Sequence, residues 1–415
     1  MHIEQIELLS PAGSFDCIIA AIKAGANSIY FGVEQLNMRS CSSNGFIISD
    51  IKKIKKICKE NKVKAYLTLN SIIYGHDIQL LRKILDEAKK TKIDAVIAAD
   101  FAVINLCKEL EIPLHISTQA NISNIESVRF FAQYAETIVL ARELTLKQIA
   151  QISNAIIKEQ ITGPSGYLIK IEVFIHGSLC MAISGKCYLS LHSHQSSANR
   201  GACIQNCRRK YIVKDLATNE ELKIDNEYIM SPKDLSTINI LPEIINSGVS
   251  ILKIEGRSKG SDYVYKTTKC YKEAIISIKE NKYNRYAIRK WTKQLSTVYN
   301  RGFWNGYYLG QKLGEWTSVA GSIAEEKKIL LGRGEKYYPK IKIAEFKIES
   351  GTIKKGDTII ISGKHIGFKK IKLEKLYVNG TESATANPGD KITFPLKDKI
   401  VANDKIYKII KETHV

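Results

Sequence analysis

The stretch Glu7-Leu-Leu-Ser-Pro-Ala-Gly-Ser-Phe-Asp-Cys-Ile-Ile-Ala-Ala-Ile-Lys-Ala-Gly-Ala-Asn-Ser-Ile-Tyr-Phe-Gly32 contains one complete strand–helix–strand unit. Its apolar start over Ile6–Leu9 ends in Ser10-Pro11-Ala12-Gly13. A helical run follows from about Phe15 to Ala24, and Ser28–Phe31 is apolar again. Two short apolar runs joined by a helix predict parallel strands with a right-handed crossover. The pattern then recurs. Further strands are expected over Lys64–Leu69, Ala95–Ala98, Leu114–Ile116, Thr137–Leu140, Glu172–Ile175 and Ser250–Ile254, with helical runs such as Ile78–Lys90 and Leu144–Ile157 between them. Eight such units are the number that closes a barrel. Strands this short and apolar suit a sheet covered on both faces. The expected fold is α/β, a (β/α)8 TIM-like barrel, with a doubly wound open sheet as the alternative.

From about Trp316 the helical period stops. Lys340–Ile348, Thr358–Ser362, Lys369–Val378 and Lys391–Pro395 read as strands, separated by turns such as Asn379-Gly380 and Pro388-Gly389-Asp390. A small C-terminal all-β barrel is expected, similar to the second domain of translation elongation factors. The expected division is residues 1–300 as the catalytic barrel, interrupted by an insertion at about 178–228, and residues 301–415 as a linker and the β-barrel. The glycine-spaced aromatics of Asn300–Gly310 suit a linker docked on the barrel better than an RNA-facing surface.

The 415 residues carry 62 Lys+Arg against 42 Asp+Glu, a formal charge of +20. Such an excess attracts polyanions, nucleic acid first among them. The lysines are nonetheless dispersed, as in Lys52-Lys53-Ile-Lys55-Lys56 on one helix. The start lacks a basic, apolar leader, and no run is long and apolar enough to cross a bilayer. A cytoplasmic protein that does not enter the membrane is expected, and the odd count of nine cysteines fits a reducing compartment.

Four of those cysteines, Cys180, Cys187, Cys203 and Cys207, follow the seventh strand with spacing C-x6-C-x15-C-x3-C. Tetrahedral zinc usually takes pairs spaced by two to four residues, which only the last pair satisfies. Iron–sulfur clusters tolerate wider spacing. From spacing alone a cluster leads, with zinc, disulfides or four unrelated thiols still open. His192 and His194 lie in the same insertion and are weaker metal candidates.

Barrel enzymes keep their chemistry at the carboxyl ends of the strands. Those ends supply Ser10, Arg39, Asn70, Asp100, Gln119, Arg142-Glu143, His176 and Glu255-Gly-Arg257. Arg142, Glu143, His176 and Glu255 are the catalytic candidates. Arg39, Asn70, Gln119 and Arg257 are the substrate-binding ones. Glu172 and His176 lie four apart, so an unbroken strand turns them to one face. Either they share acid/base work or Glu172 balances an inward basic neighbour.

Several motifs together carry a resemblance: Leu8-Leu-Ser-Pro-Ala-Gly13, Ala24–Gly32, Ser117-Thr-Gln-Ala-Asn121, Leu140-Ala-Arg-Glu-Leu144, Glu172–Cys180 and Lys253-Ile-Glu-Gly-Arg257. Over nearly its whole length the chain resembles peptidase family U32, the collagenase-like proteins, and its C-terminal region resembles the branch that hydroxylates tRNA. The resemblance implies an oxygen-independent hydroxylase forming 5-hydroxyuridine at the wobble base, with prephenate as a small-molecule hydroxyl donor and tRNA as partner. It implies a 4Fe–4S cluster on Cys180, Cys187, Cys203 and Cys207. Related branches act on a cytidine of ribosomal RNA or on a ubiquinone precursor. The alternatives are a collagenase-like protease and a non-catalytic RNA-binding metalloprotein. Against a protease, the chain has no H-E-x-x-H motif and no nucleophile elbow.

Overall fold

A computed structural model describes residues 6–40, 45–212, 214–219, 230–319 and 321–412. Cys41 and the end of the insertion expected at 228 lie outside these residues. The strands β1 (Glu7–Pro11), β2 (Ser28–Phe31), β3 (Lys64–Leu69), β4 (Ala95–Ala98), β5 (Leu114–Ile116), β6 (Thr137–Val139) and β7 (Lys170–Gly177) pair in parallel, each with the next. Strand β8 (Asp234–Ser236) stands outside that ring, antiparallel to the end of β7. Strand β9 (Ile251–Ile254) pairs in parallel with both β7 and β1 and closes the barrel. The α/β barrel expected from the sequence is therefore the observed fold.

The crossover helices are α1 (Phe15–Lys23), α2 (Asp50–Glu60), α3 (Ile78–Lys90), α4 (Phe101–Glu109), α5 (Ile125–Ala132) and α6 (Leu146–Lys158). Each is amphipathic for the reason α3 illustrates. Leu81, Ile84, Leu85 and Ala88 recur at helical spacing and are buried against the strands. Helix α6 starts where it does because Thr145 and Gln148 form a reciprocal capping box. The short α7 (Leu189–His194) lies in the insertion, and α8 (Leu241–Asn246), α9 (Ser261–Lys279) and α10 (Arg285–Ser296) follow.

The barrel lumen is not purely apolar. Leu9, Tyr30, Tyr66, Ala95, Ile97 and Ile251 form a small cluster separate from the helix–strand core. Among them Lys253 Nζ donates to Glu172 Oε1 at 2.6 Å, with Glu172 fully buried. His115 Nδ1 stands 3.4 Å from Glu172 Oε2, without hydrogen-bond geometry. Glu172 therefore balances an inward lysine, one of the two readings of the sequence. His176 does not share its face. A register shift between Phe174 and His176 breaks the alternation that an unbroken strand imposes.

Residues 301–316, the opening of the segment expected as a linker and β-barrel, lie against the barrel. Strand β10 (Phe303–Trp304) pairs with β8, and Trp316 bridges to Pro232. Beyond them an antiparallel β region is built from β11 (Glu326–Tyr338), β12 (Ile343–Ile348), β13 (Ile353–Lys354), β14 (Thr358–Gly363), β15 (Gly367–Lys372), β16 (Tyr377–Val378), β17 (Thr381–Glu382), β18 (Thr385–Ala386), β19 (Lys391–Pro395) and β20 (Lys405–Lys411). Its own core includes Leu331, Ile359 and Ile392, with Phe346 and Phe394 stacked 5.5 Å apart. The β14–β15 hairpin docks on α1, where Lys23 Nζ donates to the Ile366 carbonyl at 3.0 Å.

Gly13 shows why a barrel loop can demand glycine. A Cβ there would lie 1.9 Å from the carbonyl oxygen of Arg257. That oxygen belongs to the loop after β9, so it cannot move alone. Gly13→Ala is expected to cost about 1–3 kcal/mol in thermal unfolding, the range of overpacked cores. An unchanged Tm would mean the two loops are not in contact.

Candidate active site at the barrel mouth

One cavity at the carboxyl ends of the strands gathers Arg39, Asn70, Gln119, Arg142, Glu255 and Arg257 under Cys180. Six of the eight candidates drawn from the strand ends therefore share one wall. At its centre is Glu255. Arg39 donates to Glu255 Oε1 from Nε at 3.1 Å and from Nη2 at 2.9 Å. The Tyr30 hydroxyl lies 3.2 Å from Glu255 Oε2. Burial alone would raise the pKa of Glu255. Arg39, Arg142 and Arg257 outweigh burial and bring it down to about 2. Three guanidiniums thus face one ionised carboxylate, leaving two positive charges in excess, since Lys253 at the cavity floor is matched by Glu172.

The polar side chains are held by second partners. Asn70 Nδ2 donates to Ser117 Oγ at 3.2 Å and to Gln119 Oε1 at 3.0 Å. Arg257 donates to Asn37 Oδ1 at 3.1 Å. Arg142 lies over the Phe174 ring at 3.8 Å and donates to the Ser178 carbonyl at 2.9 Å. The Nε atoms of Arg142 and Arg257 are buried without a partner, as is Thr68 Oγ1 on the same wall. Buried donors of this kind are normally satisfied, so they mark where an acceptor belongs.

Two candidates fall outside the mouth. His176 is 1 % exposed and packs against Tyr263, Tyr271 and Phe303. Burial takes its pKa down to about 3, so it is neutral and turned away from the cavity, a correction that follows from the β7 bulge. Glu143 is exposed and lines a different surface hollow with Trp304 and Trp316. Its neighbour Arg142 takes the inward direction there. Ser10 bonds Thr268, and Asp100 caps α4, so both are structural. His192 and His194 are exposed on α7. Tyr30, Thr68, Phe174 and Lys253 line the mouth although the strand-end reading missed them. The inward alternation along β2, β3, β7 and β9 was the available signal.

The insertion roofs this mouth. Arg200 reaches across to donate to the Ile72 carbonyl at 2.7 Å and to Asp77 Oδ1 at 3.2 Å. Gly185 lies against Gln119 and Met38. With the roof in place the cavity measures about 50 Å3.

The four cysteines of the insertion are free thiols. Burial raises the Cys207 pKa, Arg208 opposes the rise, and Cys180, Cys203 and Cys187 add to it. The four sulfurs thus share one electrostatic neighbourhood. Yet among the described residues no three His, Cys, Asp or Glu side chains converge on a point that one ion could occupy. Zinc would need its sulfurs about 2.3 Å from a single centre, whereas an iron–sulfur cluster presents a separate iron to each thiolate. Four thiols are a donor set that an iron–sulfur cluster takes, one to each iron. Arginines tie the ends of the loop: Arg208 donates to the Leu179 carbonyl at 2.6 Å and to the Pro232 carbonyl at 2.8 Å. Arg301 donates to Ser178 Oγ at 3.2 Å. Sequence reading missed both, because their partners lie between 23 and 123 residues away in the chain.

Comparison with known proteins adds four findings. The sequence model described as peptidase family U32 matches residues 13–318. A protein of Porphyromonas gingivalis named "Collagenase" is 49% identical over 411 residues, 99% of each chain. A Helicobacter pylori protein named "tRNA hydroxylation protein P" is 32% identical over 320 residues, 74% of this chain and 72% of that one. A 23S rRNA 5-hydroxycytidine synthase of Escherichia coli is 35% identical over 282 residues, 67% of this chain and 40% of that one. Among the described residues no helix is long and apolar enough to cross a membrane.

Proposed function

The chain belongs to peptidase family U32, and from that membership and the charge of its mouth we propose that it is an RNA-modifying hydroxylase, converting a tRNA wobble uridine to 5-hydroxyuridine. The observation that carries the reading is the excess of guanidinium over carboxylate beneath Cys180. Two uncompensated positive charges suit a dianion, and the unpartnered Nε atoms of Arg142 and Arg257 give each carboxylate a planar donor. Prephenate, a dicarboxylate, is the donor this wall favours. Replacing C–H by C–OH is a two-electron oxidation, so the donor must supply the oxygen and accept the electrons. Cys180, Cys187, Cys203 and Cys207 would hold an iron–sulfur cluster, which when bound supplies redox or Lewis-acid chemistry.

The chain's own residues do the positioning. Asn70 and Gln119, locked to each other and to Ser117, orient the substrate by hydrogen bonds. Glu255, ionised and held by Arg39, offsets part of the repulsion among the three guanidiniums. The roof excludes water once the substrates are in place. Relatives named for RNA hydroxylation support this reading, although relatives named collagenase are more similar in sequence, so the choice between the two rests on the mouth. The mouth also disfavours proteolysis: its Ser117 is bonded to Asn70 and Gln119, while His115 and His176 sit in buried contacts outside the cavity wall.

The test is anaerobic reconstitution, followed by incubation with unmodified tRNA and prephenate and mass analysis of the wobble nucleoside. Addition of one oxygen is expected. Cleavage of a collagen-like peptide with no change in the RNA would reverse the assignment.

Arg142 joins the two parts of the site, since it lines the mouth and holds the Ser178 carbonyl two residues before Cys180. Arg142→Ala is expected to lower kcat by at least about 100-fold and to weaken cofactor retention by about 10–100-fold, the usual cost of removing an outer support. Full absorbance in the inactive variant would confine Arg142 to the substrate.

A further inference from the structure

Two cavities larger than the mouth lie in the seam between the barrel and the C-terminal β region, at about 580 and 520 Å3. Both fall in the size range of ligand sites, about 300–1,000 Å3. One short segment connects them with the mouth. Glu255 and Arg257 line the mouth, Arg257 also belongs to the wall of the second cavity, and Ser258, Lys259 and Gly260 line both seam cavities. The loop after β9 therefore runs from the candidate active site directly into the seam.

The second cavity is lined by Arg257, Lys259, Lys328, Lys364 and Lys405 against Asp16 and Asp404. Lys328 is paired with Asp262. Both lining carboxylates are engaged locally: Asp16 accepts from Ser362 Oγ at 2.8 Å, and Asp404 accepts from the Val401 amide at 2.9 Å. Lys364 and Lys405 are exposed and form no ion pair among the described residues. Lys259 Nζ lies over the Tyr299 ring of the first cavity, 3.1 Å from its centre, and burial lowers its pKa to about 7, so it is only partly charged near neutrality. Phe15 and Tyr407 supply aromatic surface to the second cavity. Cations beside aromatic faces along a groove are what a single nucleic-acid strand requires: charge for its phosphates and platforms for its bases.

The walls of the groove are fixed to each other. Ser261 and Ser362 share a hydrogen bond of 2.8 Å, and Lys266 reaches Glu326 at 3.0 Å. The groove is thus a preformed surface shared by both halves of the chain.

We propose that this seam is the track for the single-stranded RNA flanking the target base, with its phosphates on Lys364 and Lys405 and one end at the mouth. The proposal rests on the RNA reading above and adds the path of the strand. A rival basic surface exists on the β region, where the exposed Lys372 and Lys375 line a separate hollow of about 370 Å3.

The experiment measures binding of a labelled anticodon stem-loop RNA to the full chain across a salt series. Three proteins are compared: wild type, Lys364→Glu/Lys405→Glu and Lys372→Glu/Lys375→Glu. All four positions are exposed, so circular dichroism should show intact folding. The seam variant is expected to bind roughly tenfold more weakly, with its log Kd against log salt slope reduced by about 1.4, or about 0.7 for each phosphate no longer neutralised. The rival variant should match wild type. An unchanged seam variant, or a loss confined to the rival pair, overturns the track while leaving the RNA reading standing. A wild-type chain that binds no RNA overturns both.

Discussion

Cys203→Ala or Cys207→Ala should strip the anaerobically reconstituted protein of its visible absorbance and drop RNA hydroxylation to background. The physical reason is ligand count: the insertion offers four thiols in one electrostatic neighbourhood, and losing one leaves a cluster iron without its thiolate. The fold should persist, because the insertion is also tied down by protein contacts. Arg200 anchors it to the loop after β3, and Arg208 anchors it to the Leu179 and Pro232 carbonyls. Cys58→Ala and Cys107→Ala are the controls. Burial pushes both of those thiols up to about 12, so they stay protonated inside the helix–strand core. Both should keep full absorbance. A Cys203→Ala protein that retains cofactor, iron content and activity would remove the insertion from the chemistry.

Glu172→Gln is expected to have the largest effect on stability. Its carboxylate is fully buried beside Lys253, itself 4 % exposed. Removing one partner of such a pair strands the other charge, at a cost of about 3–5 kcal/mol. Lys253→Met should be similarly damaging. The double variant Glu172→Gln/Lys253→Met should recover much of the loss, because neither charge remains; a double variant as unstable as the sum of the singles would contradict the pairing. The pH dependence follows the same logic. Burial would raise the pKa of Glu172, but Lys253 and His115 hold it below the ordinary 4.5. A depressed carboxylate stabilises the fold above that ordinary value and loses its contribution as pH falls below it. Wild-type unfolding midpoints should therefore fall below pH 4.5 more steeply than those of the double variant.

Much of the site was legible before any coordinates. The strand ends named six residues of the mouth because a barrel places them all at one rim, whatever its loops do. Two readings failed for nameable reasons. His176 left the Glu172 face because β7 carries a bulge, which hydrophobic alternation does not reveal. Glu143 turned outward because Arg142, beside it, takes the inward direction and is held there by Phe174 and the Ser178 carbonyl. The support Arg208 was invisible, since main-chain carbonyls carry no side-chain signature in a sequence, and Arg301 was invisible because Ser178 and Asp234 lie far from it in the chain.

By itself, the order of residues determined the eight strand–helix units, the change to β structure after Trp316 and the four-thiol insertion. Each of these is written in local periodicity, turn chemistry or spacing, which a neighbouring segment cannot alter. Only the tertiary structure decided that three arginines converge on one glutamate, that the insertion roofs them and that a basic seam opens beside them. Those facts depend on groups more than a hundred residues apart being brought within hydrogen-bond reach, and that is set by how the barrel closes and how the β region docks.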